Sequence, residues 1–300
     1  MKVIIDTDPG HDDALAIMFA LKSKKLDIQA ITTVAGNSTI ENTTRNASYI
    51  LKLLGRTDIP VYSGSPRPLK RKLIQAVVHG KTGLAGVDVK LQPCLSGNAV
   101  EKILQLVKEN PGKITVIALG PLTNIATAIL RDPKTMAKVQ QIVIMGGAIA
   151  VPGNKNRVAE FNIFVDPEAA DVVFKFPVKK VLVPLDACNE ITMSLKEFSK
   201  IREVKLRSAV LKMMQAYIAN LSKRGFGKGA LLYDPLAVYC ALAPSACVKK
   251  PMDIAVETKG ELTRGMTVME RRQGKAKSNV NVVTKIDSKK FKKDFIRALS

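Results

Sequence analysis

Aromatic residues and histidine are scarce in this chain of 300 residues. Aromatic residues make up 5% of the sequence, tryptophan is absent, and there are 2 histidines. Few side chains are therefore available to stack on nucleic-acid bases, which disfavours a dedicated nucleic-acid-binding domain. Proton transfer by imidazole is restricted to His11 and His79.

Cysteines and long apolar runs are also limited. The four cysteines, Cys94, Cys188, Cys240 and Cys247, are far apart and form no Cys-x-x-Cys pair. Reduced, packed thiols are therefore favoured over a zinc or redox site. No segment has the roughly 18 consecutive apolar residues of a membrane helix, and acidic residues begin at Asp6, too early for a secretory signal. We expect a cytoplasmic protein.

Positive charge is in excess. The chain has 47 Lys and Arg against 26 Asp and Glu, a formal net charge of +21. Nucleic-acid or acidic-surface binding would use such a charge, but most of the lysines are scattered. The densest late run, 289–297, places Phe291, Phe295 and Ile296 at helical spacing among its charges. This pattern favours the solvated face of a docked terminal helix, with nucleic acid left as the alternative.

Apolar strands alternate with amphipathic helices over the first two thirds of the chain. Near-continuous β-branched runs predict strands at 3–5, 28–34, 61–62, 114–119, 142–145 and 181–185, with helices between them. This alternation predicts an α/β fold with a mainly parallel central sheet flanked by helices. After residue 190 the pattern predicts helices at 195–204, 208–221 and 235–242, then three extended segments and a last helix, without a linker. We expect a single domain, 1–300, with a core of about 1–190 and elaborations over about 191–300.

Acidic residues are concentrated directly after the first predicted strand. Asp6, Asp8, Asp12 and Asp13 lie within eight residues and would repel one another unless a cation or protons neutralise them. Helix capping explains one or two of them. Oxygen ligands without cysteine or histidine select a hard ion, Ca²⁺ or Mg²⁺. The sequence therefore predicts a metal site at this loop.

The segment from Asp6 to Asp13 resembles the N-terminal motif of the inosine–uridine-preferring nucleoside hydrolases. Seven further blocks agree in order and spacing, from Val34 to Pro235: Val34-Ala35-Gly36-Asn37, His79-Gly80, Gly120-Pro121-Leu122-Thr123-Asn124, Met145-Gly146-Gly147, Ala159-Glu160-Phe161-Asn162-Ile163, Asp166-Pro167-Glu168-Ala169-Ala170 and Asp234-Pro235. The resemblance implies a nucleoside hydrolase fold with a Rossmann-like core, one Ca²⁺ per subunit, and hydrolysis of ribonucleosides to base and ribose. It further implies a role in purine and pyrimidine salvage and a homo-oligomer, either a dimer or a tetramer.

The same resemblance implies a role for individual residues. The implied metal ligands are Asp8, Asp13, the backbone carbonyl of Leu119, and Asp234. The implied ribose-binding residues are Asp12, Asn37, Asn154, Glu160, Asn162 and Asp234. The candidate catalytic residues are Asp8, His79, which matches a residue near the base in relatives, and Tyr233, at a position where relatives commonly have a histidine. Asp8 is expected to take a proton from a metal-bound water that attacks the anomeric carbon, through a transition state resembling an oxocarbenium ion.

One position departs from the family pattern and leaves the acid step open. Relatives commonly have a histidine before the final Asp-Pro, whereas this chain has Tyr233. A phenol with a pKa near 10 is a poorer proton donor than imidazole at neutral pH. Tyr233 is therefore predicted to assist the leaving base, to contact the base without proton transfer, or only to pack. The glycine-rich segment 222–229 is interpreted as a mobile flap or a plain loop, with Arg224, Phe226 and Lys228 as candidate base contacts.

Two other functions use some of the same features. A haloacid-dehalogenase-like phosphatase would place Asp6 as nucleophile and bind Mg²⁺, but such an enzyme has no role for the Glu160-Phe161-Asn162 block. A basic binding protein would use the net charge of +21 on RNA or another polyanion. The complete set of carboxylates and asparagines favours the hydrolase over both.

Overall fold

An eight-stranded sheet runs through the protein, and helices cover both of its faces. The computed structural model describes residues 1–90, 96–272 and 274–300. The strands are β1 (Lys2–Thr7), β2 (Asp27–Thr33), β3 (Val61–Ser63), β4 (Ile114–Ala118), β5 (Gln141–Met145), β6 (Lys180–Val183), β7 (Thr192–Met193), β8 (Ala230–Leu231), β9 (Cys247–Met252), β10 (Ile254–Val256), β11 (Thr267–Met269) and β12 (Val280–Ile286).

The order of the main sheet is β3, β2, β1, β4, β5, β6, β12, β9. All neighbouring pairs are parallel except β12 with β9. Strands β7 with β8 and β10 with β11 form two small antiparallel sheets. The predicted α/β class with a mainly parallel central sheet is confirmed.

The helices are α1 (His11–Lys22), α2 (Ile40–Leu53), α3 (Ala99–Glu109), α4 (Thr123–Arg131), α5 (Pro133–Met136), α6 (Phe161–Val165), α7 (Pro167–Lys175), α8 (Leu185–Cys188), α9 (Leu195–Phe198), α10 (Val204–Ser222), α11 (Tyr233–Leu242) and α12 (Ser288–Leu299). Helices α1, α2, α10, α11 and α12 share one hydrophobic core, and α3, α4, α5 and α7 share another. Alternate residues of β1 belong to the two cores, with Val3 and Ile5 in the first and Ile4 in the second. The two sets of helices therefore cover opposite faces of the sheet.

The strand order reverses between β1 and β4, and this reversal locates the site. From β1 the chain proceeds to β2 and β3 on one side, while β4 begins the other half of the sheet. Loops that follow these neighbouring strands diverge and leave a crevice at their carboxyl ends, where ligands bind in open α/β sheets. Asp8 follows β1, Asn37 follows β2, and Leu119 follows β4.

The last third of the chain completes the same sheet. The alternation of strands and helices along the sequence ends near residue 190. Even so, β12 pairs with β6, and β9 pairs with β12 as the edge strand of the same sheet. Strand β9 escaped prediction because Lys249, Lys250 and Pro251 interrupt its apolar pattern, which an edge position tolerates. The helix predicted over 195–204 is wrong in extent, since α9 ends at Phe198 and α10 begins at Val204.

The terminal helix α12 has the two-sided character that its sequence predicts. Phe291, Phe295 and Leu299 are fully buried, and Phe291 and Phe295 pack against Phe19 of α1. Lys289, Lys290, Lys293 and Arg297 are exposed. The interpretation of the late basic run as the solvated face of a docked helix is confirmed.

The cysteines and the helices agree with two further expectations. Cys188, Cys240 and Cys247 are buried free thiols, while Cys94 lies outside the described residues. Among the described residues, none of the helices combines the length and the apolar character that crossing a bilayer requires.

Candidate active site

The loop between β1 and α1 is held closed by one aspartate. Asp13 Oδ1 accepts a hydrogen bond from the Thr7 hydroxyl at 2.5 Å, and Asp13 Oδ2 accepts from the Gly10 backbone N–H at 2.9 Å. The Asn37 side-chain amide donates to the same Oδ2 at 3.0 Å. Asp13 therefore does cap the start of α1, but it also ties together the ends of two neighbouring strands.

Three buried carboxylates meet at this loop. Oxygens of Asp12, Asp13 and Asp234 lie within 4.8 Å of one another. Asp234 is in the first turn of α11, far along the chain, and the packing of α11 against α1 brings it to the site. The structure thus brings together two of the predicted metal ligands, Asp13 and Asp234, and adds Asp12, which was predicted to bind ribose.

Asp8 lies beside this group in a narrow cradle. Its Oδ2 accepts from the Asn37 backbone N–H at 2.7 Å, while its Oδ1 is buried without a hydrogen-bond partner among the described residues. A Cβ atom on Gly36 or Gly120 would lie 2.2 or 2.5 Å from these carboxylate oxygens. Both glycines are therefore required for the carboxylate to fit between the ends of β2 and β4.

Burial and mutual repulsion disfavour the charged forms of these acids. Burial is the main cause that holds the pKa of Asp8, Asp12, Asp13 and Asp234 above the usual range of a carboxyl group, and the charge of Asp13 raises the pKa of the other three further. An unpaired buried carboxylate is costly. A divalent cation would relieve this cost, and a set of donors made only of oxygen suits Ca²⁺ or Mg²⁺.

Asp6, the nucleophile that a phosphatase would need, is turned away from the site. It is fully buried, and its Oδ2 accepts from the Thr32 hydroxyl at 2.6 Å and the Asn124 amide at 2.8 Å. Burial raises the pKa of Asp6 to about 6. Its contacts link β1 to β2 and α4, which makes Asp6 a structural group.

Residues 154–162 form the wall after β5. Glu160 accepts from the backbone N–H groups of Gly147 at 3.1 Å and Asn162 at 2.9 Å, yet burial raises the pKa of Glu160 to about 7. The Asn162 amide donates to the Leu119 carbonyl at 2.7 Å, the backbone oxygen predicted as a metal ligand. Asn154 accepts from the Phe161 N–H at 2.9 Å, which fixes the loop.

His79 and Tyr217 form the opposite wall. His79 Nδ1 lies 3.2 Å from the backbone nitrogen of His11, which directs Nε2 toward Asp12 Oδ1 at 3.8 Å. Tyr217 of α10 stacks on both His11 and His79, with ring centroids 4.9 and 5.3 Å away. Burial lowers the pKa of His79 well below its usual value, so this imidazole is neutral at physiological pH.

Tyr233 closes the site from α11. Its hydroxyl donates to Asn189 Oδ1 at 3.0 Å. Burial, together with the charges of nearby groups such as Asp12 and Glu160, holds the pKa of Tyr233 far above that of a free phenol. The side chain therefore stays protonated and is a weak acid.

A single cavity of about 230 Å³ joins these walls. Nine predicted site residues line it: Asp12, Asn37, His79, Leu119, Asn154, Glu160, Asn162, Tyr233 and Asp234. Asp8 and Asp13 are fully buried next to it. Arg224 and Phe226 of the predicted flap also line the cavity, whereas Lys228 does not.

Sequence reasoning missed several residues of the cavity wall. They include Met145, Lys155, Phe161, Tyr217, Leu221 and Leu231. Tyr217 lies within a helical pattern of buried residues and carried no signal that separates it from the core. Lys155 directly follows Asn154, so its place in the loop was the only available signal.

The comparisons with known proteins agree with this geometry. The sequence model of the family described as inosine-uridine preferring nucleoside hydrolase matches residues 3–293. The pyrimidine-specific ribonucleoside hydrolase RihA of Shewanella woodyi is 42% identical over 277 residues, which cover 90% of this chain and 88% of that protein.

Two solved structures have the same fold over nearly their full length. A plant nucleoside hydrolase superposes with a TM-score of 0.92 at 34% identity, covering 99% of this chain and 98% of that chain. A purine-preferring ribonucleoside hydrolase from Gardnerella vaginalis superposes with a TM-score of 0.93 at 30% identity, covering 100% and 98%. The chain therefore belongs to the inosine-uridine preferring nucleoside hydrolase family and is an enzyme that hydrolyses the N-glycosidic bond of ribonucleosides.

Proposed function

We propose that this enzyme depends on Ca²⁺, uses Asp8 as general base, and prefers pyrimidine ribonucleosides. The observation that carries the proposal is the group of buried carboxylates at the carboxyl ends of β1 and β4, beside a cavity lined with amide and carboxylate oxygens. The preference for pyrimidines rests on relatives of 38 to 42% identity that are named pyrimidine-specific. We also propose a cytoplasmic homo-oligomer, as the resemblance implies.

The residues present fit a calcium ion. Asp8 Oδ1 is a buried carboxyl oxygen to which no described residue hydrogen-bonds, and Asp13 and Asp234 already converge. We propose that these three carboxylates and the Leu119 carbonyl hold the ion. When bound, Ca²⁺ would make a coordinated water more acidic and anchor the ribose hydroxyls.

Asp8 is the proposed acceptor of the water proton. Its Oδ2 accepts from the Asn37 N–H, which leaves Oδ1 for the ion and for the proton of a water that the ion would hold. Burial, together with the charges of Asp13 and Asp12, raises the pKa of the Asp8 carboxyl group and so makes it a stronger base. A basic carboxylate held in place can contribute roughly 10²- to 10⁴-fold to the rate.

Asp12, Asn37, Glu160 and Asn162 are the proposed ribose contacts. They line the cavity from two directions, with Asp12 and Asn37 on the β1 and β2 side and the other two on the β5 side. Hydrogen bonds to the sugar hydroxyls would fix the anomeric carbon against the water. The carboxylate oxygens of Asp12 and Glu160 would stabilise positive charge on the ring in the transition state.

The test of the proposed activity is free ribose released from a panel of nucleosides. We expect uridine and cytidine to be cleaved with higher kcat/KM than inosine and adenosine. Deoxyuridine is expected to fall at least about 100-fold below uridine, because loss of the 2′-hydroxyl removes a ligand and the positioning that it provides. Equal kcat/KM for uridine and deoxyuridine would contradict the ribose contacts, and inosine as the best substrate would contradict the pyrimidine preference.

Tyr233 is proposed to contact the base without transferring a proton. Its raised pKa and its hydrogen bond to Asn189 make it a poor acid. Tyr233→Phe is expected to lower kcat/KM by about threefold to tenfold, the cost of one hydrogen bond, and to leave the pH profile of kcat unchanged.

Tyr239→Phe is the matched control. This substitution removes the hydroxyl of Tyr239, which lies on the same helix, α11. That hydroxyl donates to Asp294 at 3.2 Å, and Tyr239 is not among the described residues that line the cavity. We expect this variant to leave kcat/KM unchanged. A loss above 100-fold in Tyr233→Phe, together with loss of the alkaline limb of the pH profile, would instead identify Tyr233 as the proton donor.

A further inference from the structure

A second, basic groove lies between α9, the turn after it, and α12. Its volume is about 730 Å³, and it shares none of its lining residues with the active-site cavity. Its lining residues are Met193, Glu197, Lys200, Arg202, Lys292, Lys293, Ile296, Arg297 and Ser300.

The side chains of this groove carry five positive charges and one negative charge. The single acid, Glu197, is already engaged, since it pairs with Lys292 at 2.9 Å and accepts from the Ser194 N–H at 2.8 Å. Lys200, Arg202 and Lys293 are exposed and form no ion pair in the described part of the chain. Their charge is therefore available to an anionic ligand.

The fold holds these cations together rather than leaving them scattered. The buried residues of α12 face α1, so Lys293 projects from the opposite side of the helix. The Arg202 backbone N–H donates to the Ser300 hydroxyl at 3.2 Å, which ties the turn after α9 to the end of α12. Two distant parts of the sequence thus present their positive charges to one groove.

We infer that this groove binds single-stranded nucleic acid through its phosphates. Phosphodiesters carry one negative charge at each nucleotide, which suits a groove lined by several cationic side chains. None of the described residues that line the groove is aromatic, so the groove offers no platform for base stacking and binding is independent of sequence. A concave groove suits a single strand better than the flat surface of a bilayer.

Fluorescence anisotropy with a labelled 15-nucleotide oligouridine tests the inference. The wild type is expected to bind at 50 mM salt and to lose affinity steeply by 200 mM. The variant Lys200→Gln, Arg202→Gln, Lys293→Gln is expected to weaken binding about tenfold or more. For this variant, the slope of the logarithm of the binding constant against the logarithm of the salt concentration should be less negative by about 2, as expected for three lost contacts to a single strand.

A second triple variant is matched in charge. Lys108→Gln, Lys134→Gln, Lys138→Gln removes three exposed lysines near α3 and α5, on the opposite face of the sheet. We expect this variant to bind oligouridine as the wild type does. If both variants weakened oligouridine binding equally, the groove would not be the binding site, and binding would depend on net charge alone.

Other ligands separate the remaining outcomes. Oligothymidine is expected to bind like oligouridine, because the two share their phosphates. Absence of oligouridine binding by the wild type at 50 mM salt would overturn the inference. Stronger groove-dependent binding of poly-glutamate or of phosphatidylserine vesicles would overturn it in favour of an acidic protein or a membrane surface. Ribose release from uridine should be unchanged in both variants, so this test fails or succeeds separately from the proposed activity.

Discussion

Replacing Asp8 with asparagine is expected to lower kcat for uridine by about 10³-fold, within the range that general bases contribute. The substitution keeps the shape of the side chain, and the asparagine oxygen can still accept from the Asn37 N–H. It removes the basic oxygen that we propose takes the proton from water. The measurement is steady-state ribose release with saturating Ca²⁺ and uridine, so that weaker binding of either does not limit the rate.

Asp166→Asn provides the control for losing a buried carboxylate. Asp166 accepts from the Thr123 hydroxyl at 2.7 Å and from the Leu69 and Ala169 N–H groups, and it lies outside the active-site cavity. This variant should be less stable but should keep the kcat of the folded enzyme. If Asp8→Asn retained kcat within tenfold of the wild type, another group would have to accept the proton.

The loop after β1 was the part of the site that the sequence predicted best. Four aspartates within eight residues require neutralisation wherever the fold places them, and that local requirement is visible without a structure. Three of them, Asp8, Asp12 and Asp13, lie at the site, whereas Asp6 belongs to β1 and is a structural group. Asn37 and Leu119 were assigned to the site by the family resemblance. In the structure Asn37 contacts Asp8 and Asp13, and Leu119 lines the same cavity, because both residues follow strands that are parallel to β1 and next to it.

Residues from the last third of the chain could be placed only by the family resemblance. Nothing local in Tyr233 or Asp234 predicts contact with a loop at residue 13, because the packing of α11 on α1 determines that contact. Tyr217 is a stronger example, since a tyrosine in an amphipathic helix has the pattern of a core residue. It lines the cavity because α10 lies over His11 and His79.

The charge of the protein also became interpretable only in three dimensions. Along the chain, Lys293 belongs to the basic run 289–297 and Lys200 to a separate segment, and the sequence offered no reason to associate the two. The docking of α12 by Phe291 and Phe295 places them in one groove. Long-range packing of apolar residues therefore determines where surface charge accumulates.

Removal of calcium is expected to reduce ribose release to background and to lower the Tm. With free Ca²⁺ at about 100 times its Kd, binding stabilises the folded state by about 2.7 kcal/mol. For a chain of 300 residues that corresponds to a Tm difference of about 4 °C. Differential scanning calorimetry with Ca²⁺ and with a chelator measures this difference, and re-addition of Ca²⁺ should restore both Tm and activity.

The Tm difference should widen as the pH rises. Asp8, Asp12, Asp13 and Asp234 have raised pKa values in the metal-free fold, whereas in the unfolded chain they titrate near 3.9. The folded state therefore binds more protons than the unfolded state, and the metal-free protein loses stability as the pH rises from about 4 through the raised values. Calcium replaces those protons, so its stabilising effect is small at pH 5 and large at pH 8. If the Tm difference between the calcium-loaded and the metal-free protein were the same at pH 5 and pH 8, the ion would not be bound by these buried acids.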